Sequence, residues 1–115
     1  MASEEEIGNK IEHHNELGYF MNVYDFRPET LEFMENNDLQ GGGPTWEGLI
    51  QAALEIRSPS TLSTIEFDEE ADMALVTSEV KESMDIVKSL VSLIMSDSTF
   101  RQQCIEHAQA GGYLE

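Results

Sequence analysis

Any fold this chain adopts must carry 23 aspartates and glutamates against six lysines and arginines, a net charge of −17 over 115 residues. Compaction brings like charges together, so burial of apolar side chains has to outweigh a standing self-repulsion. The carboxylates recur from Glu4 to Glu115, and are densest in Glu4-Glu5-Glu6 and in the run Glu66, Asp68, Glu69, Glu70, Asp72. Hydrophobic content of 40% is enough to build a core despite this charge. The chain therefore reads as an acidic folded domain, and not as a neutral domain with an acidic tail. Such a surface attracts a basic partner and repels nucleic acid, whose phosphates carry the same sign.

Apolar periodicity sets out the elements. Gly18 to Phe26 reads as a strand, with Phe20, Tyr24 and Phe26 on one face and Tyr19, Met21 and Val23 on the other. Apolar side chains on both faces predict a central strand covered on each side. Pro28 suits the first turn of a short helix to about Asn36, where its missing donor costs nothing. Leu31 and Met34 would point inward from it, and Glu29, Glu32 and Glu35 largely outward. Gly41-Gly42-Gly43-Pro44 is a break, after which Thr45 is placed to cap a helix. Trp46, Leu49, Ile50, Ala53 and Leu54 then form one stripe at helical spacing, ended near Arg57 by Ser58-Pro59-Ser60.

Leu62–Phe67 and Met73–Thr77 read as a hairpin joined by the acidic connection Asp68 to Asp72, with Ile65, Phe67, Met73 and Leu75 facing inward. Ser78 would cap a long helix whose first turn holds Glu79 and Glu82, the sign its N-terminal dipole favours. Its apolar face of Val80, Met84, Val87, Leu90, Val91 and Ile94, widened by Ile86 and Leu93, predicts burial between two neighbours. After Asp97-Ser98 a last helix carries Phe100, Cys104, Ile105 and Ala108 and stops at Gly111-Gly112. The order β-α-α-β-β-α-α predicts an α+β fold, a small antiparallel sheet with a hairpin packed against helices. The length fits one domain over residues 1–115, with a core from about 15 to 110 and the first twelve residues frayed. The start lacks the features of a secretory signal, and no apolar run approaches the ~18 residues of a membrane span. A cytoplasmic protein without membrane contact is expected, and a single cysteine cannot form an intrachain disulfide.

Few residues suggest chemistry. His13-His14 lie near Glu12 and Glu16, but adjacent histidines diverge on any regular element and no third ligand has a clear spacing, so no metal is expected. Cys104 and His107 share a helix, yet Cys104 sits on an apolar stripe in a chain poor in cations, which fits a buried structural thiol. The glycines before Thr45 lack the lysine of a phosphate loop, and Glu47 would repel a phosphate. Carboxylate pairs are too numerous to mark a glycosidase, with Trp46 the sole candidate for a sugar platform and better placed in the core. No catalytic residue and no cofactor is expected. The acidic hairpin remains, either as a solvated turn that discourages edge pairing or as a contact surface, since its charge exceeds what solubility requires.

The stretch Gly41-Gly42-Gly43-Pro44-Thr45-Trp46-Glu47-Gly48-Leu49 resembles the glycine-rich, tryptophan-containing helix start of the immunity protein 51 family of bacterial polymorphic toxin and contact-dependent inhibition systems. Phe67-Asp68-Glu69-Glu70-Ala71-Asp72-Met73 is similar to that family's hairpin, an Asp-x-Glu-Ala-x-Met pattern, and the likeness spans roughly residues 15 to 108. The chain departs from the pattern at Pro44-Thr45, where an aromatic and an acidic residue are common, and at Asp72, where glycine is usual. The resemblance implies a non-enzymatic inhibitor of a cognate toxin domain. Many such toxins are nucleases with basic clefts, to which an acidic protein can present carboxylates. The expected contact set is Glu66, Asp68, Glu69, Glu70 and Asp72, with Glu32 and Glu35 as a second group. Two rivals share some of these features: an acidic nucleic-acid mimic or adaptor that binds another host protein, and a small enzyme built on carboxylates.

Overall fold

A computed structural model describes residues 7–8, 10–14, 18–69 and 72–114. The elements run β1 (Ile7–Gly8), β2 (Glu12–His14), β3 (Gly18–Asp25), α1 (Pro28–Asn36), α2 (Gly43–Arg57), a 3-10 turn (Pro59–Thr64), β4 (Glu66–Glu69), β5 (Ala74–Ser78), α3 (Lys81–Ser96) and α4 (Ser98–Gly111). This is the expected α+β arrangement, preceded by two short strands from a segment whose polarity suggested fraying. All pairings are antiparallel in the order β1-β3-β5-β4, with β2 also paired to β3. β3 is central, flanked by β1 and β2 on one side and by β5 on the other.

The helices lie on one face of this sheet. α2 and α3 pack on the strands, and α4 packs across α2 and α3. α2 is therefore enclosed, and its stripe of Trp46, Leu49, Ile50, Ala53 and Leu54 has no solvent exposure. Met21 and Val23 of β3 and Ala74 and Val76 of β5 join the same core, with Met84, Val87, Val91 and Ile94 of α3 and Phe100, Cys104, Ile105 and Ala108 of α4. Full burial of such aliphatic side chains contributes roughly 1.5–3 kcal/mol each.

Several expectations are corrected. β3 is covered by helices on one face only, because α2, α3 and α4 all belong to one side. α2 begins three residues early: Gly42 and not Thr45 is the cap, Pro44 sits in the first turn, and Thr45 lies buried with its hydroxyl accepting from the Gly41 amide at 3.1 Å. Met34 points inward from α1 as expected, but Leu31 is 45% exposed, since Thr30 takes the second inward place. Leu62 lies in the 3-10 turn and not in a strand. There Ser63 and Thr64 donate to the carbonyls of Ser60 and Thr61, at 3.0 and 2.7 Å, which competes with extended backbone. The second hairpin strand is out of phase by one residue, with Ala74, Val76 and Ser78 buried and Met73 and Leu75 half-buried. Ser78 ends β5 and caps no helix; its hydroxyl donates to Thr64 O at 2.7 Å and accepts from Val80 N at 3.0 Å. Val80 and Ile86 are exposed, so the inward face of α3 is narrower than its sequence suggests.

The cations are largely consumed in holding this structure. Arg27 clamps the buried Asp25 through Nε at 2.9 Å and Nη2 at 2.7 Å, and Thr30 donates to the same carboxylate at 2.7 Å. Arg57 lies 4.8 Å over the Phe100 ring and Arg101 4.4 Å over Phe33, while Arg101 Nε also donates to Ile94 O at 2.9 Å. Lys81 pairs with Asp85 one turn along α3. Little positive charge is left to offset the surface carboxylates.

Candidate functional site

Strand alternation builds a second face on the sheet. Where Met21, Val23, Ala74 and Val76 point to the helices, Phe20, Asn22, Tyr24, Leu75 and Thr77 point the other way. These five are half-buried, and Phe20, Tyr24 and Leu75 do not join the core. Register aligns them into rows. Glu12, Phe20, Thr77 and Glu66 form one row across β2, β3, β5 and β4, and Asn22, Leu75 and Asp68 form the next. Gly8 stands opposite Tyr24 in a third row, and the Tyr24 ring fills the space a side chain at Gly8 would take. Phe26, 40% exposed, stacks on Tyr24 with ring centroids 5.1 Å apart.

The result is an apolar centre between acidic edges. Glu12 on one side and Glu66 and Asp68 on the other are exposed and have no ion-pair or hydrogen-bond partner among the described residues. At the Glu66 end the face runs into a cleft of about 520 Å³ lined by Ser63, Glu66, Thr77 and Glu79 among others. A hydrogen bond of 2.6 Å between Thr64 Oγ1 and Ser83 Oγ, with the Ser78 contacts to Thr64 and Val80, fixes this rim to α3.

The hairpin carboxylates are thus divided. Glu66 and Asp68 lie on the open face, and Asp72 is exposed at the turn. Glu69 is the last residue of β4, with its Cα opposite Ala74, and Glu70 lies outside the described residues. Glu32 and Glu35 are exposed on α1, a helix anchored to the core through Met34 and to α4 through Phe33. They do not share the face of Glu66 and Asp68. Sequence reasoning missed Glu12 as a member of this face, and Phe20, Tyr24 and Leu75 as surface residues; the polar Asn22 between two aromatics was the available sign that this side meets water.

The alternative chemistries resolve into structural roles. Cys104 is fully buried, and burial pushes its thiol up to about 12 despite the nearby Arg57. An inert thiol of this kind is not a nucleophile. His107 turns to Glu55, with Nε2 2.8 Å from Oε1, and Tyr113 donates to both Glu55 oxygens at 2.7 Å. The Tyr113 and His107 hydrogen bonds hold the Glu55 carboxyl below its ordinary value, and the same carboxylate pushes the Tyr113 phenol up. This cluster latches the C-terminal segment onto α2 and α4. Gly48 permits it, since a side chain there would strike the Tyr113 carbonyl. Trp46 is a core residue, and its buried indole N–H has no acceptor among the described residues. The His13 ring packs against Tyr19 at 4.9 Å, and no group of three potential metal-ligating side chains occurs among the described residues. None of the described helices is long and apolar enough to cross a membrane.

Fold and surface together describe a small α+β protein with an acidic, partly apolar sheet face left uncovered by its helices. The chain belongs to the immunity protein 51 family, whose family model matches residues 9–110. Membership implies an immunity role, exercised by binding a cognate toxin. No curated protein and no solved structure gives a significant match.

Proposed function

We propose that this protein neutralises a cognate, basic toxin domain of nuclease type by binding it through an acidic surface. It acts in the cytoplasm as a single domain spanning residues 1–115, without enzymatic activity and without binding nucleic acid. The observation that carries this reading is the uncompensated charge: arginines are engaged internally, while Glu12, Glu66, Asp68 and Asp72 stand exposed without partners among the described residues. Each can act as acceptor and charge partner for a Lys or Arg of the toxin. Family membership supports the class of opponent, and the acidic surface is what supports reading that opponent as basic.

The test is co-purification with the product of an adjacent reading frame encoding a large secreted protein with a variable C-terminal domain, followed by growth rescue. The association rate should fall as salt rises from low to several hundred millimolar, because screening removes electrostatic steering. A salt-independent rate would sink the basic-toxin reading. Charge reversal at Asp68 and Glu69 should weaken binding while leaving the thermal midpoint in place.

A further inference from the structure

Resting on that immunity reading, we infer that the toxin seats on the open face of the sheet, placing an apolar or aromatic side chain on Phe20, Tyr24 and Leu75 and basic side chains against Glu12, Glu66 and Asp68. An apolar centre with a polar rim is the usual anatomy of a protein contact, where a few central anchors carry most of the affinity. Here the centre consists of side chains half-buried in the sheet but outside the core, extended by the exposed Phe26 stacked on Tyr24. The rim is most acidic along β4, where Glu66 and Asp68 lie, whereas Glu12 on the other edge stands two residues from the exposed Lys10, so the face favours a partner whose basic side chains gather on the β4 side of its plug.

The cleft at the Glu66 end adds a receptor for one long basic side chain. Its volume of about 520 Å³ and its lining by Glu66, Glu79, Ser63 and Thr77 offer two carboxylates and two hydroxyls to a lysine or arginine head. A second copy of this chain is a poor occupant, because it would bring the same carboxylates against one another. Of the other exposed apolar residues among those described, Ile86 lies in a shallow groove beside Arg57 and Asp85, whose opposite charges select no partner.

The experiment measures binding of the inactivated C-terminal domain encoded by the adjacent reading frame. Failure of the wild-type chain to bind it or to rescue growth would refute the immunity reading itself. Given wild-type binding, Leu75→Arg and the pair Glu66→Lys with Asp68→Lys should each raise Kd by at least about 30-fold, as loss of an interface anchor does. Ile86→Arg should leave Kd within about threefold, as substitutions outside the contact do. Carbodiimide labelling of the wild-type complex reads the same surface without any variant. Glu12, Glu66 and Asp68 should be protected by the toxin domain, and Glu32 and Glu106 should not. Unchanged labelling of the first group, a Kd sensitive to Ile86→Arg alone, or a homodimer broken by Leu75→Arg would each overturn the assignment.

Discussion

Val76 and Leu75 are adjacent in β5, yet Val76 has no solvent exposure and packs among the helices while Leu75 lies half-exposed beside Asp68. The same division runs through β3, with Met21, Val23 and Asp25 on the covered side and Phe20, Asn22 and Tyr24 on the open one. Three strand carboxylates follow it. Asp25, on the covered side, is held by Arg27 and Thr30, whereas Glu66 and Asp68 have no partner among the described residues. A charge that folding buries must be paired, because its desolvation is otherwise too expensive, while a charge left in water can be kept for another molecule. Stability and recognition therefore occupy opposite faces, and substitutions should separate them.

The largest effect tests this one-residue alternation directly. Val76→Asp buries an unpaired charge, a loss of about 4 kcal/mol or more that consumes most of a typical domain's stability. Circular dichroism should show an unfolded or barely folded chain. Leu75→Asp should keep the native spectrum and lose at most about 1 kcal/mol, the span of strand preferences. Equal destabilisation by the two would erase the distinction between the faces.

Next in size is the buried pair. Arg27→Ala leaves the Asp25 carboxylate enclosed without its main partner, and should lose about 3 kcal/mol in denaturant unfolding. Adding Asp25→Asn should recover part of that loss, since the uncompensated charge disappears. If the double variant is simply the sum of the singles, Asp25 is not held by this clamp.

A smaller effect comes from Glu55, a carboxylate on the helical side that is engaged like Asp25. Its folded value lies below its ordinary 4.5, so its contribution is present above that pH and is lost as pH falls through the lowered value. Tyr113 moves the other way from its ordinary 10.0, so its contribution is present below that pH and is lost as pH rises through the raised value. Tyr113→Phe should lower the thermal midpoint by a few degrees between these limits. The gap between variant and wild type should close at both extremes. A gap that is constant across pH would mean the latch is packing alone.

What was readable in advance follows the same physical line. The stripes of α2 and α4 were legible because helical spacing was bounded by strong breakers, Pro59 after one and Asp97 before the other. The run Met73-Ala74-Leu75-Val76 allows either strand phase, and only packing of Ala74 and Val76 under the helices decides it. Leu62 to Thr64 alternated like a strand, while local hydroxyl-to-carbonyl bonds made a turn. Of the candidate site, the acidic residues Glu66 and Asp68 were visible as a dense run. Their partnership with Glu12, Phe20 and Tyr24 was not, because it depends on long-range register and on which side of β3 the helices occupy.

The smallest expected effect is the most telling for the idle carboxylates. Glu66→Gln with Asp68→Asn removes two negative charges that have no partner among the described residues, from a chain carrying −17. Nothing in the fold is lost, and some self-repulsion is relieved. The thermal midpoint should hold steady or rise, equivalent to no more than about 0.5 kcal/mol, the range of surface substitutions. Any gain should vanish in several hundred millimolar salt, because screening removes the repulsion that the substitution relieves. The same double variant should slow association with the toxin domain at low salt and match wild type more nearly at high salt. A fall of the midpoint by several degrees would instead show that the outer strand uses these side chains for its own stability, and the division between the two faces would fail at β4.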